Sequence, residues 1–134
     1  MKKRKRAHAN VSFCLGDSNM YHVIDSIAGH VGNRCYYILA LSVKEMQKYY
    51  PDRPPVMATI YSAVAKQIGS SVASVSKAVG RAVADIWENG DRKALEQIAG
   101  RKLVEKPSPK DLLVILTMQT INPTDRIQQL QNII

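Results

Sequence analysis

Apolar positions recur at three-to-four spacing along most of the chain, the period of one helical face, and no strand-like alternation stands out against it. Residues 1 to 18 are the exception. They lack periodicity and contain Gly, Ser, Asp and Asn, which predicts a basic arm ending near Gly16. From Asn19 onward, Met20, Val23, Ile24 and Ile27 predict a short first helix, capped by Ser18 or Asn19 and closing at Gly29. Gly32 and Asn33 restart the chain. The run RCYYILALSVKEMQKYY then presents Cys35, Ile38, Leu39, Leu41 or Ser42, Val43 and Met46, a face broad enough for a long, largely buried helix. Pro51, Pro54 and Pro55 end it, and Pro55 suits the first turn of the next.

The stretch from Ile60 to Gly90 carries two helical patterns separated by Gly-Ser-Ser. Ile60, Val64, Ala65 and Ile68 mark the first; Val72, Val75, Val79, Val83 and Ile86 mark the second. Ala65 is small where two steeply crossing axes approach, Gly69 suits a left-handed helix stop, and Ser70 or Ser71 can cap the second helix. Small, glycine and apolar residues in this order predict a helix-turn-helix spanning 56–89. Trp87, one position past Ile86 at the edge of the buried stripe, reads as a core anchor.

Beyond Asp91, Ala94, Leu95, Ile98 and Ala99 predict a short helix ended by Gly100, with a basic connector, RKLVEKPSPK, after it. Ser108, Pro109 and Asp111 resemble a capping box with Pro in the first turn. They lead into a last core helix through Leu112, Ile115, Leu116 and Met118 or Gln119, part of which is apolar enough for a dimer contact. Ile127, Leu130, Ile133 and Ile134 give the tail, 123–134, the spacing of a short extra helix.

Wound at about 100° per residue, the helix predicted over about 71–89 turns Ser70, Ala73, Lys77, Gly80, Arg81 and Ala84 away from its valine stripe, with Ser74 and Ser76 on the flanks. A face that is small and polar with two forward-reaching cations suits a DNA major groove. The competing reading is a solvated amphipathic helix. Charge favours DNA: 19 Lys and Arg against 11 Asp and Glu leave +8, which calls for an anionic partner, nucleic acid ahead of a membrane surface. Five of those cations, Lys2, Lys3, Arg4, Lys5 and Arg6, lie in the arm, where they either neutralise DNA phosphates or solubilise the chain; the remainder carries only about +3.

Other chemistry finds little support. No apolar run approaches the 18 or more residues of a membrane span, and a cytoplasmic protein is expected. Cys14 and Cys35 have no partner at metal or disulfide-framework spacing, so no metal and no cofactor are expected. His22 and His30 read as structural or solvated. Without a Gly-rich phosphate loop, telling carboxylate pairs or an assembled nucleophile set, no enzyme is expected.

Several stretches resemble one family. They are HVIDSIAGHVGNRCYYILAL, Tyr61 to Gly69, the helix ending in Trp87, Glu88, Asn89 and Gly90, and Lys106-Pro107-Ser108 leading into Asp111-Leu112. From about Met20 to Asn122 the chain resembles the C-terminal DNA-binding domain of the master transcription factor that initiates endospore formation in bacteria. The resemblance implies a six-helix fold with a central helix-turn-helix that reads DNA from the positions of Ser74, Ser76, Lys77, Gly80 and Arg81. Lys77 keeps a cation where the family has arginine. Ser76 replaces an acidic residue, Gly80 an arginine, and Ser74 a usual basic residue, while Arg81 stands at a histidine position. Because lysine lacks arginine's planar fork for guanine, the resemblance leaves open whether the family's guanine-containing box is the target. Ser62 stands where the family commonly has proline.

The family's founding members also carry a phosphoacceptor domain, where this chain has only the basic arm; phosphorylation-driven dimerisation within the chain is therefore not expected. A homodimer on tandem half-sites stays open, since one small domain seldom supplies enough affinity. The resemblance further implies an RNA polymerase sigma contact through Asp91 to Leu103. The expectation is thus an all-α, compact six-helix domain over 19–122, with a basic arm at 1–18, that binds double-stranded DNA in the nucleoid and regulates transcription. The alternative is a protein-interaction module that uses its apolar C-terminal helices, with DNA binding vestigial or non-specific.

Overall fold

The computed structural model describes residues 15–49, 52 and 56–121. The cluster Lys2 to Arg6, Cys14, Pro51, Pro54, Pro55 and the tail 123–134 lie outside the described residues. Six helices account for most of what is described: α1 Leu15–Ile27, α2 Arg34–Gln47, α3 Met57–Ile68, α4 Val72–Asn89, α5 Arg92–Ala99 and α6 Pro109–Thr120. No strand occurs among the described residues. The fold is all-α and compact, as the periodicity predicts.

α2 is the hub, packing against α1, α3, α4 and α6. Ten of its fourteen residues are buried, including Cys35, Ile38, Leu39, Val43 and Met46 from the predicted face. Leu41 and Ser42, between which the pattern does not choose, are both buried, and the Ser42 hydroxyl donates to the Ile38 carbonyl at 2.9 Å. Even Glu45 is buried. Its Oε2 accepts from Gln67 Nε2 of α3 at 2.6 Å and from Lys48 Nζ at 2.9 Å, which offsets the burial of the charge and ties α2 to α3. On another side, Gln47 Nε2 donates to Thr120 Oγ1 at 2.7 Å, joining α2 to α6.

Capping chemistry sets several boundaries. The Asp91 carboxylate accepts from the Ala94 amide, and the Ser108 hydroxyl from the Asp111 amide with Pro109 in the first turn. Gly100 ends α5 in the left-handed conformation, at φ 76°. Other boundaries differ from expectation. α1 begins at Leu15, taking in Gly16, Asp17 and Ser18 from the stretch expected to form the arm. A first turn tolerates such weak helix formers because its amide groups lack intrahelical partners anyway, while buried Met20, Ile24 and Ile27 hold the rest in place. α2 stops at Gln47, three residues before the predicted end, where Lys48 and Tyr49 amides bond tightly back to Glu45 and Met46 carbonyls.

Three side-chain placements also depart from the pattern. Val72, the first residue of α4, is 40% exposed, so the stripe begins at Val75 and adds Ala78 and Ala82. On α6, Thr117 and Thr120 are buried while Met118 and Gln119 are exposed. That helix packs against α1, α2, α4 and α5, and the Thr120 hydroxyl satisfies itself on the Leu116 carbonyl at 2.7 Å. Trp87 is half-buried rather than a core residue; it packs against the core edge with the Arg92 guanidinium 3.4 Å above its ring centre.

The α4–α5 corner closes on α1. The Gly90 amide donates to the Ile86 carbonyl at 3.0 Å and the Asp91 amide to the Ile27 carbonyl at 3.3 Å. A Cβ at Gly90 would fall 2.0 Å from the Ile27 carbonyl oxygen and 2.7 Å from that of Ile86. Gly90→Ala is therefore expected to destabilise the protein by about 3 kcal/mol, whereas Gly69→Ala, with open space but φ 66°, should cost about 1 kcal/mol. Urea midpoints of the two variants check the order.

Candidate nucleic-acid interface

α3 and α4 are joined by Gly69, Ser70 and Ser71 alone. α3 buries Ile60, Tyr61, Val64 and Ala65, and Gly69 then turns left-handed (φ 66°, ψ 44°). The Gly69 and Ser70 amides both fold back onto the Ala65 carbonyl, Ser70 at 2.9 Å. Of the two candidate caps, Ser71 is the one used: its Oγ accepts from the Ser74 amide at 3.1 Å and donates to Ser74 Oγ at 3.1 Å. The Ser71 hydroxyl is thus engaged by the fold, whereas Ser70, which makes no side-chain cap, is exposed beside it.

The buried stripe of α4 is Val75, Ala78, Val79, Ala82, Val83 and Ile86. Opposite it, Ala73, Ser74, Ser76, Lys77 and Arg81 are exposed, and Gly80 and Ala84 are half-buried. Lys77 and Arg81, four residues apart, share one side of the helix. Neither makes an ion pair or hydrogen bond to any described residue. Gly80 lies between them with nothing within 4 Å of where a Cβ would stand, so packing does not demand a glycine there. Mid-helix glycine costs about 0.5–1 kcal/mol relative to alanine. At this position no contact within the described fold offsets that cost.

The same row of α4 continues through Asp85 to Asn89, where the fold builds a cluster that the sequence pattern does not announce. Asp85 Oδ2 accepts from the His30 amide at 2.6 Å and from the Tyr36 hydroxyl at 2.5 Å. Its Oδ1 accepts from His30 Nδ1 at 2.7 Å and from Asn89 Nδ2 at 2.9 Å. The Tyr36 hydroxyl in turn accepts from the Gly29 amide at 3.1 Å. These bonds clamp the α1–α2 loop and the first turn of α2 onto the second half of α4. Gly29 fits because the approach is close: a Cβ there would stand 2.8 Å from Asp85 Oδ2 and 2.7 Å from Asn89 Cβ. His30, expected to be structural or solvated, is structural. The only hint in the sequence is spacing, with Asp85 and Asn89 extending the four-residue row of Lys77 and Arg81.

Electrostatics mirror the geometry. Burial works to raise the Asp85 pKa, but donation from the His30 amide, Tyr36, the His30 ring and Asn89 outweighs it and holds the carboxyl well below its ordinary range. Burial pushes the Tyr36 phenol up, and its bond to Asp85 pushes further. The buried Cys35 thiol is raised by desolvation and then by Asp85, with the nearby Arg81 charge opposing.

No group of His, Cys, Asp and Glu suited to a metal ion occurs among the described residues. No helix among them is long and apolar enough to cross a membrane. In the segment for which a sigma contact was implied, Arg92 is stacked on Trp87 and donates to its carbonyl at 2.8 Å, and Lys93, Arg101 and Lys102 are exposed. Comparison with protein-family models, curated proteins and solved structures found no match.

Because the Asp85 pKa is lowered by folding, its stabilising contribution is complete above the ordinary carboxylate value of 3.8 and is lost as pH falls through the depressed folded value. Asp85→Asn should cost about 1–3 kcal/mol at neutral pH. The gap from the wild type should narrow as pH drops below about 4, measured as urea midpoints across a pH series.

Proposed function

We propose that the protein is a sequence-specific regulator of transcription that binds double-stranded DNA with α4 in the major groove. The α3–α4 unit serves as a helix-turn-helix, in a member of the sporulation-regulator effector family that its sequence resembles. The observation that carries the reading is the outward face of α4, where Lys77 and Arg81 stand exposed around Gly80 with no ion pair among the described residues. Two cations without partners in the described fold are poised for an anionic one, and the missing side chain at Gly80 lets the helix backbone approach it closely. Ser70, Ser74 and Ser76 supply short hydroxyl donors along the same edge, while Ser71 contributes by holding the helix N-terminus in order. The basic arm, Lys2 to Arg6, adds phosphate contacts and hence salt dependence. A homodimer on tandem half-sites and a sigma contact through residues 91–103 belong to the same reading.

A second reading has one observation in its favour. Val114 and Met118, one turn apart on α6, are 38% and 47% exposed, an apolar edge suited to a protein partner in an interaction module. Tight capture of such a partner with no protection of any duplex would favour it over DNA binding.

Selection of bound fragments from random duplexes tests the main reading and supplies the preferred site. On that site, Lys77→Ala and Arg81→Ala should each cost about 1–3 kcal/mol of binding free energy, with little loss on unrelated duplexes. An equal loss on every duplex would make them phosphate contacts. Gly80→Ala should move two measurements in opposite directions: a higher urea midpoint, from a gain of about 0.5–1 kcal/mol in unfolding free energy, and weaker binding to the preferred duplex.

A further inference from the structure

Arg81 and Asp85 stand four residues apart on α4, a spacing within reach of an ion pair on a helix, with the cation preceding the acid in the weaker of the two orders. They do not pair here. The four donors on Asp85, two from His30 and one each from Tyr36 and Asn89, match the roughly four lone-pair sites a carboxylate offers. The Asp85 side chain is only 11% exposed beneath them. Arg81, one turn closer to the α4 N-terminus, is exposed.

We infer that Tyr36 and His30 are positioning residues for the α4 face: by taking up the Asp85 carboxylate they keep it off Arg81 and leave that guanidinium to the DNA. The inference rests on the DNA-binding reading for its ligand, though the arrangement of Asp85 and Arg81 is a property of the free protein. Without these donors the carboxylate regains acceptor capacity, and the nearest cation along its own row is Arg81. Pairing there would neutralise a groove-facing charge and bring a carboxylate toward phosphates that repel it. Nothing else in the row can substitute, because Asn89 supplies one donor to Oδ1 and none to Oδ2. Gly29 completes the device. Its amide orients the Tyr36 hydroxyl, and its lack of a Cβ lets the loop close over Asp85 Oδ2.

The test uses the full chain, the duplex recovered by selection, and a scrambled duplex of equal length, with fluorescence anisotropy as readout. Tyr36→Phe should weaken binding to the selected duplex by about 3- to 10-fold. His30→Ala, whose side chain is 66% exposed and leaves no cavity, should weaken it less and in the same direction. The double variant Tyr36→Phe/Asp85→Asn should recover the affinity of Asp85→Asn alone while remaining less stable than the wild type. A purely structural role for Tyr36 predicts no such recovery. Wild-type affinity in folded Tyr36→Phe, or a loss that persists in the double variant, overturns the inference. A second measurement needs no DNA: solvent exchange of the Arg81 Nε–H, monitored by NMR, should slow in Tyr36→Phe and return to the wild-type rate in the double variant. Slowed exchange in a protein that binds no duplex would support the release of Asp85 onto Arg81 and place the failure with the DNA reading. Unchanged exchange overturns the inference outright.

Discussion

Burying α2 on nearly every side is the constraint to which the other helices answer. A helix surrounded by four others must satisfy its polar groups inside the protein, since water does not reach them. Ser42 does so on its own backbone, Glu45 on Gln67 and Lys48, and Tyr36 on Asp85 and Gly29. The last two arrangements also join α2 to α3 and to α4. The polar residues of the central helix thereby fix the orientation of the pair of helices that carries the candidate interface. Apolar burial supplies the larger favourable free energy; these few directed bonds favour one arrangement among the packings it would permit.

The parts of the fold legible in the sequence are those that local chemistry decides. Gly69, Asp91, Gly100 and Ser108 each act on residues within a turn of themselves, so their effect is written in neighbouring letters. The apolar spacing of α2 and of α4 past Val72 is equally plain, because burial on one side of a helix repeats every three or four residues. Where burial surrounds the helix the repeat fades, which is why the pattern does not separate Leu41 from Ser42; on α6, which keeps one exposed side, the pattern points to Met118 or Gln119 because threonines occupy buried positions and apolar Val114 and Met118 occupy exposed ones. Gln47 ends α2 earlier than the prolines suggest because a tight turn of backbone bonds intervenes.

The outward face of α4 can be drawn from periodicity alone, and its cations are exposed where the helical wheel puts them. The Asp85 cluster cannot. His30 and Tyr36 lie 55 and 49 residues from Asp85, and no local rule links a loop histidine and a buried phenol to a carboxylate so far along the chain. Their meeting is a product of the α2–α4 contact. It gives α4 two halves of different character: one carries exposed cations to solvent, and the other is locked to the loop beneath it.

Trp87 is the only tryptophan in the chain, and it sits where α4 gives way to α5 with the Arg92 guanidinium laid across its ring. Its fluorescence is therefore a built-in optical probe of that corner, sensitive to the departure of a single side chain as well as to global unfolding. The tip bearing Lys77 lies more than two helical turns away, at 1.5 Å per residue. A ligand seated at the tip would leave the emission nearly unchanged. One engaging α5 would alter it directly, so the same indole distinguishes the two ends of the helix by light.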